Sequence, residues 1–181
     1  LFNIEQENKS NPGGMLDIII VNNDVGSEYG NNFIKSLNGK QLKNGTLYTI
    51  QNDNIGWSYG AFNKGFQVFK KYYDFFIFTE DDVMIINDNY LKIALDLFNN
   101  TNNCGFVSYL GISHSSFGLS FKDSLHANCA TGLTSKLVLE NINKSNGCLP
   151  HSNFTDMSHY KEIIIQGEIA FTNKIYKAGY Q

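Results

Sequence analysis

Apolar residues along this chain follow two patterns, and the switches between them mark the elements. Leu16 to Val21, broken only by Asp17, and the stretch from Asp74 to Thr79 with Phe75-Phe76-Ile77-Phe78 at its centre are continuous apolar runs of strand length. Such runs predict strands buried on both faces, as in a parallel sheet covered by helices. Leu47 to Ile50 predicts a shorter strand. Between these runs the spacing becomes helical. Tyr29, Phe33, Ile34 and Leu37 share one face of a helix over Glu28 to Leu37, which Ser27 can cap and Asn38-Gly39 ends. Phe66, Phe69 and Tyr72 mark a second helix, and Leu91, Ala94, Leu95 and Phe98 a third over Asn89 to Phe98. Strands alternating with helices at this spacing predict βαβ units and a mainly parallel sheet.

The second half is less regular. Cys104 to Leu110 predicts a strand and residues 111 to 118 a polar loop; His126 to Thr131 predicts a strand and Thr134 to Asn143 a helix. An irregular segment runs from Gly147 to about Ser158. Tyr160 to Ile165 then predicts a strand, and Gln166-Gly167-Glu168 leads into a helix over Ile169 to Lys177 that Gly179 terminates. No internal repeat or linker is visible. With 181 residues, 42% of them hydrophobic, the chain can bury one sizeable core. The expected fold is a single α/β domain with a mainly parallel central sheet flanked by helices.

The chemistry concentrates where strands stop. Phe75 to Thr79 ends in Glu80-Asp81-Asp82, and open α/β sheets place their ligands at the carboxyl ends of strands. Three adjacent carboxylates repel one another unless a cation neutralises them, and an all-oxygen donor set suits a hard ion such as Mg²⁺ or Mn²⁺. The plain alternative is a solvated acidic turn before a helix, where acids favour the helix N-terminus. Leu16 to Val21 ends likewise in Asn22-Asn23-Asp24. Leu47 to Ile50 opens into a loop containing Asn54, Gly56, Gly60 and Asn63, whose glycines allow close backbone approach to a ligand.

Net charge is −3, and all 14 Lys+Arg residues are lysines without a basic stripe, which argues against nucleic acid as a partner. Cys104, Cys129 and Cys148 lack metal-ligand spacing and read as buried thiols of a reducing compartment. No run approaches the length of a membrane span and no signal peptide is visible, so the expected location is cytoplasmic, with peripheral contact to a membrane compatible.

These features together resemble the family 2 glycosyltransferases of the GT-A fold. The residues that carry the likeness are the strand ending in Asn22-Asn23-Asp24, Asn54-x-Gly56 with Gly60 and Asn63-x-Gly65, Phe78-Thr79-Glu80-Asp81-Asp82, and Gly167-Glu168 before a helix ending in Ala178-Gly179-Tyr180. The resemblance spans roughly Leu16 to Gln181 and implies a GT-A-like, nucleotide-diphospho-sugar transferase domain, with the family's first strand and its C-terminal end lying outside residues 1–181. It implies that Asn22, Asp24, Asn54, Gly56 and Gly60 line the donor site, with Asn22 where the family usually has Asp. Glu80-Asp81-Asp82 stand where the family's DxD motif holds Mg²⁺ or Mn²⁺ on the donor diphosphate. Asp82 would be the direct ligand, with Asp81 and Glu80 ligating through water or contacting the ribose. Glu168 would be the general base that deprotonates the acceptor hydroxyl. The implied partners are a nucleotide-sugar donor and a glycan or lipid-linked saccharide acceptor.

Other readings stay open at this point. A sugar-1-phosphate nucleotidyltransferase shares the sheet and uses metal but needs a glycine-rich, basic signature near its N-terminus, which Pro12-Gly13-Gly14 does not supply. A catalytically incomplete, glycosyltransferase-like domain that binds glycans or partners is the non-enzymatic alternative. Glu168 can also be read as an acid at a helix N-terminus. Histidines of this kind are more often surface or hydrogen-bonded groups than ligands, and His126 stands apart because it precedes the segment expected to face the acceptor. Tyr59, Phe62 and Phe66 are expected to pack on the sheet, Trp57 to stack on a ring or join the core, and Lys64 to lie on a solvated helix face.

Overall fold

A computed structural model describes residues 11–24, 26–114, 117–120, 124–127, 131–144 and 147–181. The first strand is β1 (Ile18–Asn23), and α1 (Glu28–Ser36) follows it, capped by the Ser27 hydroxyl accepting from the Gly30 N–H. β2 (Lys40–Gln41) and β3 (Thr46–Asn52) come next, then α2 (Trp57–Phe69), β4 (Phe75–Phe78) and α3 (Tyr90–Asn100). The second half holds β5 (Val107–Ser108), β6 (Ile112–His114), β7 (Leu125–Ala127), β8 (Gly132–Ser135) and α4 (Lys136–Asn143). The chain closes with one 3₁₀ turn (Met157–His159) and then α5 (Tyr160–Ile164), a π-helical segment (Ile165–Ile169) and α6 (Ala170–Lys177) in unbroken succession.

The architecture is mixed α/β, but the sheet is not the mainly parallel one expected. β1 pairs in parallel with β3, whereas β2–β3, β4–β8, β5–β8 and β6–β7 are all antiparallel. Among the described residues the strands form three small sheets, β1-β3-β2, β4-β8-β5 and β6-β7. Strand direction is a long-range property. β4 and β8 lie more than 50 residues apart in sequence, and no local periodicity records which way the later strand runs.

Several elements depart from the expected reading, among them the strand expected from Cys104 to Leu110, which is only β5 at Val107–Ser108. Tyr160 to Ile165 is helical rather than a strand, because its Ile163 faces the core on the same helix that buries Ile169 and Phe171; helical packing here overrides β-branched propensity. Residues 112–114 form β6 instead of loop. Thr134 and Ser135 belong to β8, and Ser135 caps α4 by accepting from the Val138 N–H. The expected strand from His126 to Thr131 is β7 at its start, and residues 128–130 lie outside the described residues, as does Cys129. Tyr72, expected to mark the second helix, lies beyond its end at Phe69, and Tyr29, expected on the shared face of the first, is 85% exposed.

The core divides by strand pleat. Phe76 and Phe78 point to one face and join Tyr59, Phe66, Val138, Leu139, Ile142 and Phe171. Ile77 points to the other and packs with Tyr90, Leu91, Ala94 and Leu133. Phe78 stacks on Phe62 with centroids 4.7 Å apart and meets Phe171 edge-on at 6.0 Å. One aromatic cluster therefore ties β4 to both α2 and α6. At the far end, Tyr180 N–H donates to Ile175 O and Gly179 N–H to Tyr176 O, a Schellman motif with Gly179 at φ +88°.

Candidate functional site

The chemistry-bearing residues gather at the carboxyl ends of β1, β3 and β4. Parallel pairing of β1 with β3 places Asn22 beside Gln51 and Asn23 beside Asn52. The adjacent side chains then form an amide network. Asn22 Nδ2 donates to Asn31 Oδ1 at 2.7 Å and to Gln51 Oε1 at 3.0 Å, and Asn52 Nδ2 donates to Asn23 Oδ1 at 2.7 Å. Asp24 Oδ1 accepts from Asn31 Nδ2 at 2.9 Å and from the Gly26 N–H at 2.8 Å. The Asn31 amide and then the Gly26 N–H hold the exposed Asp24 carboxyl below its ordinary range, because both donors favour the charged form. Removing the larger donor should reverse this. In Asn31→Ala the Asp24 carboxyl is expected to titrate at higher pH than in the parent, followed by carboxylate NMR. The sign follows from linkage: a lowered folded pKa contributes stability above the unfolded value, lost as pH falls through the folded one. An unchanged titration would remove the network as the cause.

The glycine-rich loop joins β3 to α2. Asn54, Gly56 and Trp57 all have positive φ, at 55°, 74° and 53°. A β-carbon at Gly60 would lie 1.7 Å from the Ile55 carbonyl oxygen, and one at Gly56 would lie 2.7 Å from Ser152 O. These glycines therefore admit the chain's own backbone: Gly56 N–H donates to Phe154 O at 3.0 Å, and Asn54 Nδ2 donates to Thr155 O at 3.4 Å. The loop is strapped to residues 151–155, a contact about 100 positions away in sequence that no local pattern announces. Trp57 Nε1 is buried there with no hydrogen-bond partner among the described residues, while Tyr59 and Phe66 are core and Lys64 is exposed.

The acids occupy the turn that leaves β4. Asp81 and Asp82 are exposed and Glu80 is half-buried; the Val83 N–H donates to Glu80 O at 3.3 Å. Among the described residues no three His, Cys, Asp or Glu side chains gather into a cage that could hold a metal ion by protein ligands alone. A magnesium or manganese site does not require one. Mg²⁺ is commonly held by one or two carboxylates, with substrate phosphates and water filling the remaining positions. The exposed pair Asp81 and Asp82 offers that donor set.

Glu168 is the surprise of the site. It does not open a helix; it lies in the π-helical segment in the middle of a continuous helical run from Tyr160 to Lys177. Its residue is 6% exposed, and its Oε1 stands 3.5 Å from Nε2 of His126, itself 3% exposed. The other ring nitrogen, Nδ1, is 2.8 Å from Ser124 O, and since a carbonyl only accepts, Nδ1 carries a proton. Nε2 is the ring nitrogen that faces the Glu168 carboxyl. A π segment widens the helix by one residue and recurs at functional sites. Gly167 makes its position possible, since a β-carbon there would lie 2.9 Å from the Tyr59 ring.

Sequence reasoning singled out both His126 and Glu168 but not their pairing. They are 42 positions apart and come together because β7 packs on the final helix, where the Ala127 N–H donates to Thr172 Oγ1 at 3.0 Å. His151 also donates through Nδ1 to a carbonyl, Leu149 O at 2.7 Å, in keeping with the expected hydrogen-bonded role. One aromatic contact links the helix that carries Glu168 to the strand that precedes the acids. Phe78 is in register with Gly132 at the start of β8, and Phe171, one turn beyond Glu168, packs on Phe78. Cys104 is buried, which raises its thiol pKa, and Cys148 is partly buried; both are free. No helix among the described residues is long and apolar enough to cross a membrane. Comparison of the chain with protein-family models, with curated proteins and with solved structures gives no match.

Proposed function

We propose that this chain is a metal-dependent glycosyltransferase domain of the GT-A kind, moving a sugar from a nucleoside-diphosphate donor to an acceptor hydroxyl with inversion. The observation that carries this reading is the buried Glu168 carboxylate, faced by His126 and anchored through Phe171 to the strand that ends in Glu80-Asp81-Asp82. A buried carboxylate paired with a histidine near a second, exposed acidic cluster is the arrangement expected of a base and a charge-binding site with separate tasks.

In this reading Asn22, Asp24 and Asn54 contact the nucleotide at the ends of β1 and β3, and Gly56 and Gly60 shape the loop beneath it. Glu80 and Asp81 meet the ribose or ligate through water, and Asp82 ligates Mg²⁺ or Mn²⁺. When bound, the ion neutralises charge that builds on the diphosphate as the glycosidic bond breaks, in a chain that has no arginine to do so. Glu168 accepts the proton of the acceptor hydroxyl. The freed oxygen attacks the anomeric carbon opposite the diphosphate, which departs with the bonding electron pair; a single displacement inverts the centre. His126 holds the carboxylate in place from the side away from the acceptor.

The test is a thermal-shift titration of UDP, GDP and dTDP, each with and without Mn²⁺. One nucleotide is expected to raise Tm only when Mn²⁺ is present, and a ligand at one hundred times its Kd stabilises by about 2.7 kcal/mol. Asp82→Asn should abolish that shift without lowering the Tm of the free protein, since Asp82 is exposed. Metal-independent stabilisation, or none by any of the three, overturns the reading.

A further inference from the structure

Residues 150–155 span two fixed points. On one side Leu149 is 1% exposed and its N–H donates to Asn63 Oδ1 at 2.9 Å; on the other Asp156 caps the 3₁₀ turn, its Oδ1 accepting from the Ser158 N–H at 2.9 Å. Between them the segment lies over the start of α2, where the Gly56 N–H donates to Phe154 O at 3.0 Å and Asn54 Nδ2 donates to Thr155 O at 3.4 Å. The Phe154 ring stacks on His159 with centroids 3.9 Å apart. This seating carries costs on both sides of the contact. Trp57 opens α2 at φ +53°, a conformation that bulky side chains rarely adopt and that persists only where the surroundings enforce it. Its Nε1 is buried without a hydrogen-bond partner, and so is the hydroxyl of Ser152, a residue 1% exposed. The Ser152 carbonyl oxygen lies against the helix N-cap, 2.7 Å from where a Gly56 β-carbon would stand. Both orphaned groups gain water as a partner once the segment lifts. Two hydrogen bonds and one ring stack are thus set against two unpaired polar atoms and a left-handed tryptophan.

We propose that residues 150–155 are a latch, docked on the start of α2 in this structure, which lifts as a unit between Leu149 and Asp156 while the rest of the fold stays closed. Docked, it occupies the Gly56 N–H with the chain's own Phe154 carbonyl and covers the Trp57 indole nitrogen. Lifted, it presents two donors, the Gly56 N–H and the Trp57 Nε1–H, together with the indole face, at the carboxyl end of β3. The docked contact is therefore autoinhibitory toward a ligand whose acceptor atoms approach the glycine loop, and such a ligand shifts the population to the lifted state because it binds that state better. Leu149 and the 3₁₀ turn keep the ends of the latch in place, so lifting rearranges only the few residues between them. The latch goes beyond the transferase reading, since it follows from the left-handed tryptophan and the unpaired groups and not from the identity of the ligand.

Trp57 is the single tryptophan of the chain, so its indole N–H gives one NMR resonance and its emission one signal. The experiment measures hydrogen exchange at the Trp57 indole N–H and the Gly56 amide, with acrylamide quenching of Trp57, in the full chain and two variants. Both protons are expected to exchange roughly tenfold or more faster than the hydrogen-bonded ladder amides of residues 18–23 and 46–52, the mark of an opening smaller than global unfolding. Phe154→Ala removes the His159 stack from a half-buried side chain. It should speed both protons by a further factor of roughly ten and raise quenching, with the ladder unchanged. Ser152→Ala should do the reverse and slow both by roughly fivefold or more, because it deletes an unpaired buried hydroxyl and keeps the docked backbone. Exchange of either proton only together with the ladder overturns the latch. So does a Phe154→Ala effect that is absent or equal on latch and ladder, or unchanged or faster exchange in Ser152→Ala. No nucleotide or metal is present in these measurements, so the latch and the transferase proposal stand or fall separately.

Discussion

Replacing Glu168 by Gln is expected to lower sugar-transfer turnover by about 10²–10⁴-fold, the range that general-base catalysis contributes, while leaving metal-dependent nucleotide binding intact. The substitution keeps the shape of a side chain whose residue is 6% exposed. The Gln amide can donate to His126 Nε2, which keeps that nitrogen paired. Only proton acceptance is lost. The measurement is a kcat and KM comparison on the nucleotide-sugar selected by the thermal-shift titration, with the free protein's Tm as control. Retention of turnover in a folded Glu168→Gln protein would remove the carboxylate from the chemistry and reduce the His126 pair to a structural contact. Glu168→Ala is a harsher variant, since it leaves His126 facing a void at a site closed to solvent, and loss of Tm there would say nothing about catalysis.

Phe171→Ala carries the largest expected effect on stability. Phe171 is 1% exposed and packs against Tyr59, Phe78 and Phe106, with centroids 5.8 to 6.0 Å away. Truncating a fully buried phenylalanine costs about 3–5 kcal/mol, a sum of lost transfer energy and the cavity left behind. For a chain of this size that is a large part of the total stability. The expected result is a drop in the denaturant midpoint with an unchanged slope, because the surface exposed on unfolding hardly changes. The same substitution loosens the link between the final helix and β4, so any surviving folded protein should also bind nucleotide more weakly. A change below 1 kcal/mol would mean that the aromatic cluster does not join these two elements.

Much of the first hundred residues was legible because the information there is local. The run Leu16–Val21 is strand from Ile18 onward and Phe75–Phe78 is a strand, Ser27 caps the helix it was expected to cap, and α3 lies within two residues of its predicted bounds. In each case a run of one periodicity ends at turn or cap residues close by in sequence. The second half resisted the same reading. Glu162-Ile163-Ile164-Ile165 carries strong strand propensity, yet it is helix and π segment, because burying Ile163, Ile169 and Phe171 on one side is worth more than the propensity of the isolated residues. β6 and β8 were not foreseen for a related reason: β6 is three residues long and β8 four, too short to display a period, and each exists through a partner strand.

The candidate site divides along the same line. The sequence by itself determined that acids and asparagines stand at the ends of apolar strands, that glycines open α2, and that Glu168 follows a glycine near the final helix. All of these are statements about neighbours in the chain. Only the tertiary structure decided that Glu168 is buried inside a π segment rather than exposed at a helix start, that His126 faces it, and that the glycine loop is strapped to residues 151–155. It also decided that the strands pair mostly antiparallel and that β1 and β4 stand apart across a cavity. The physical reason is common to all of these. Burial, strand direction and the approach of two side chains depend on which distant surfaces pack together, and the energy that selects that packing is spread over many small contacts that no single stretch of sequence records.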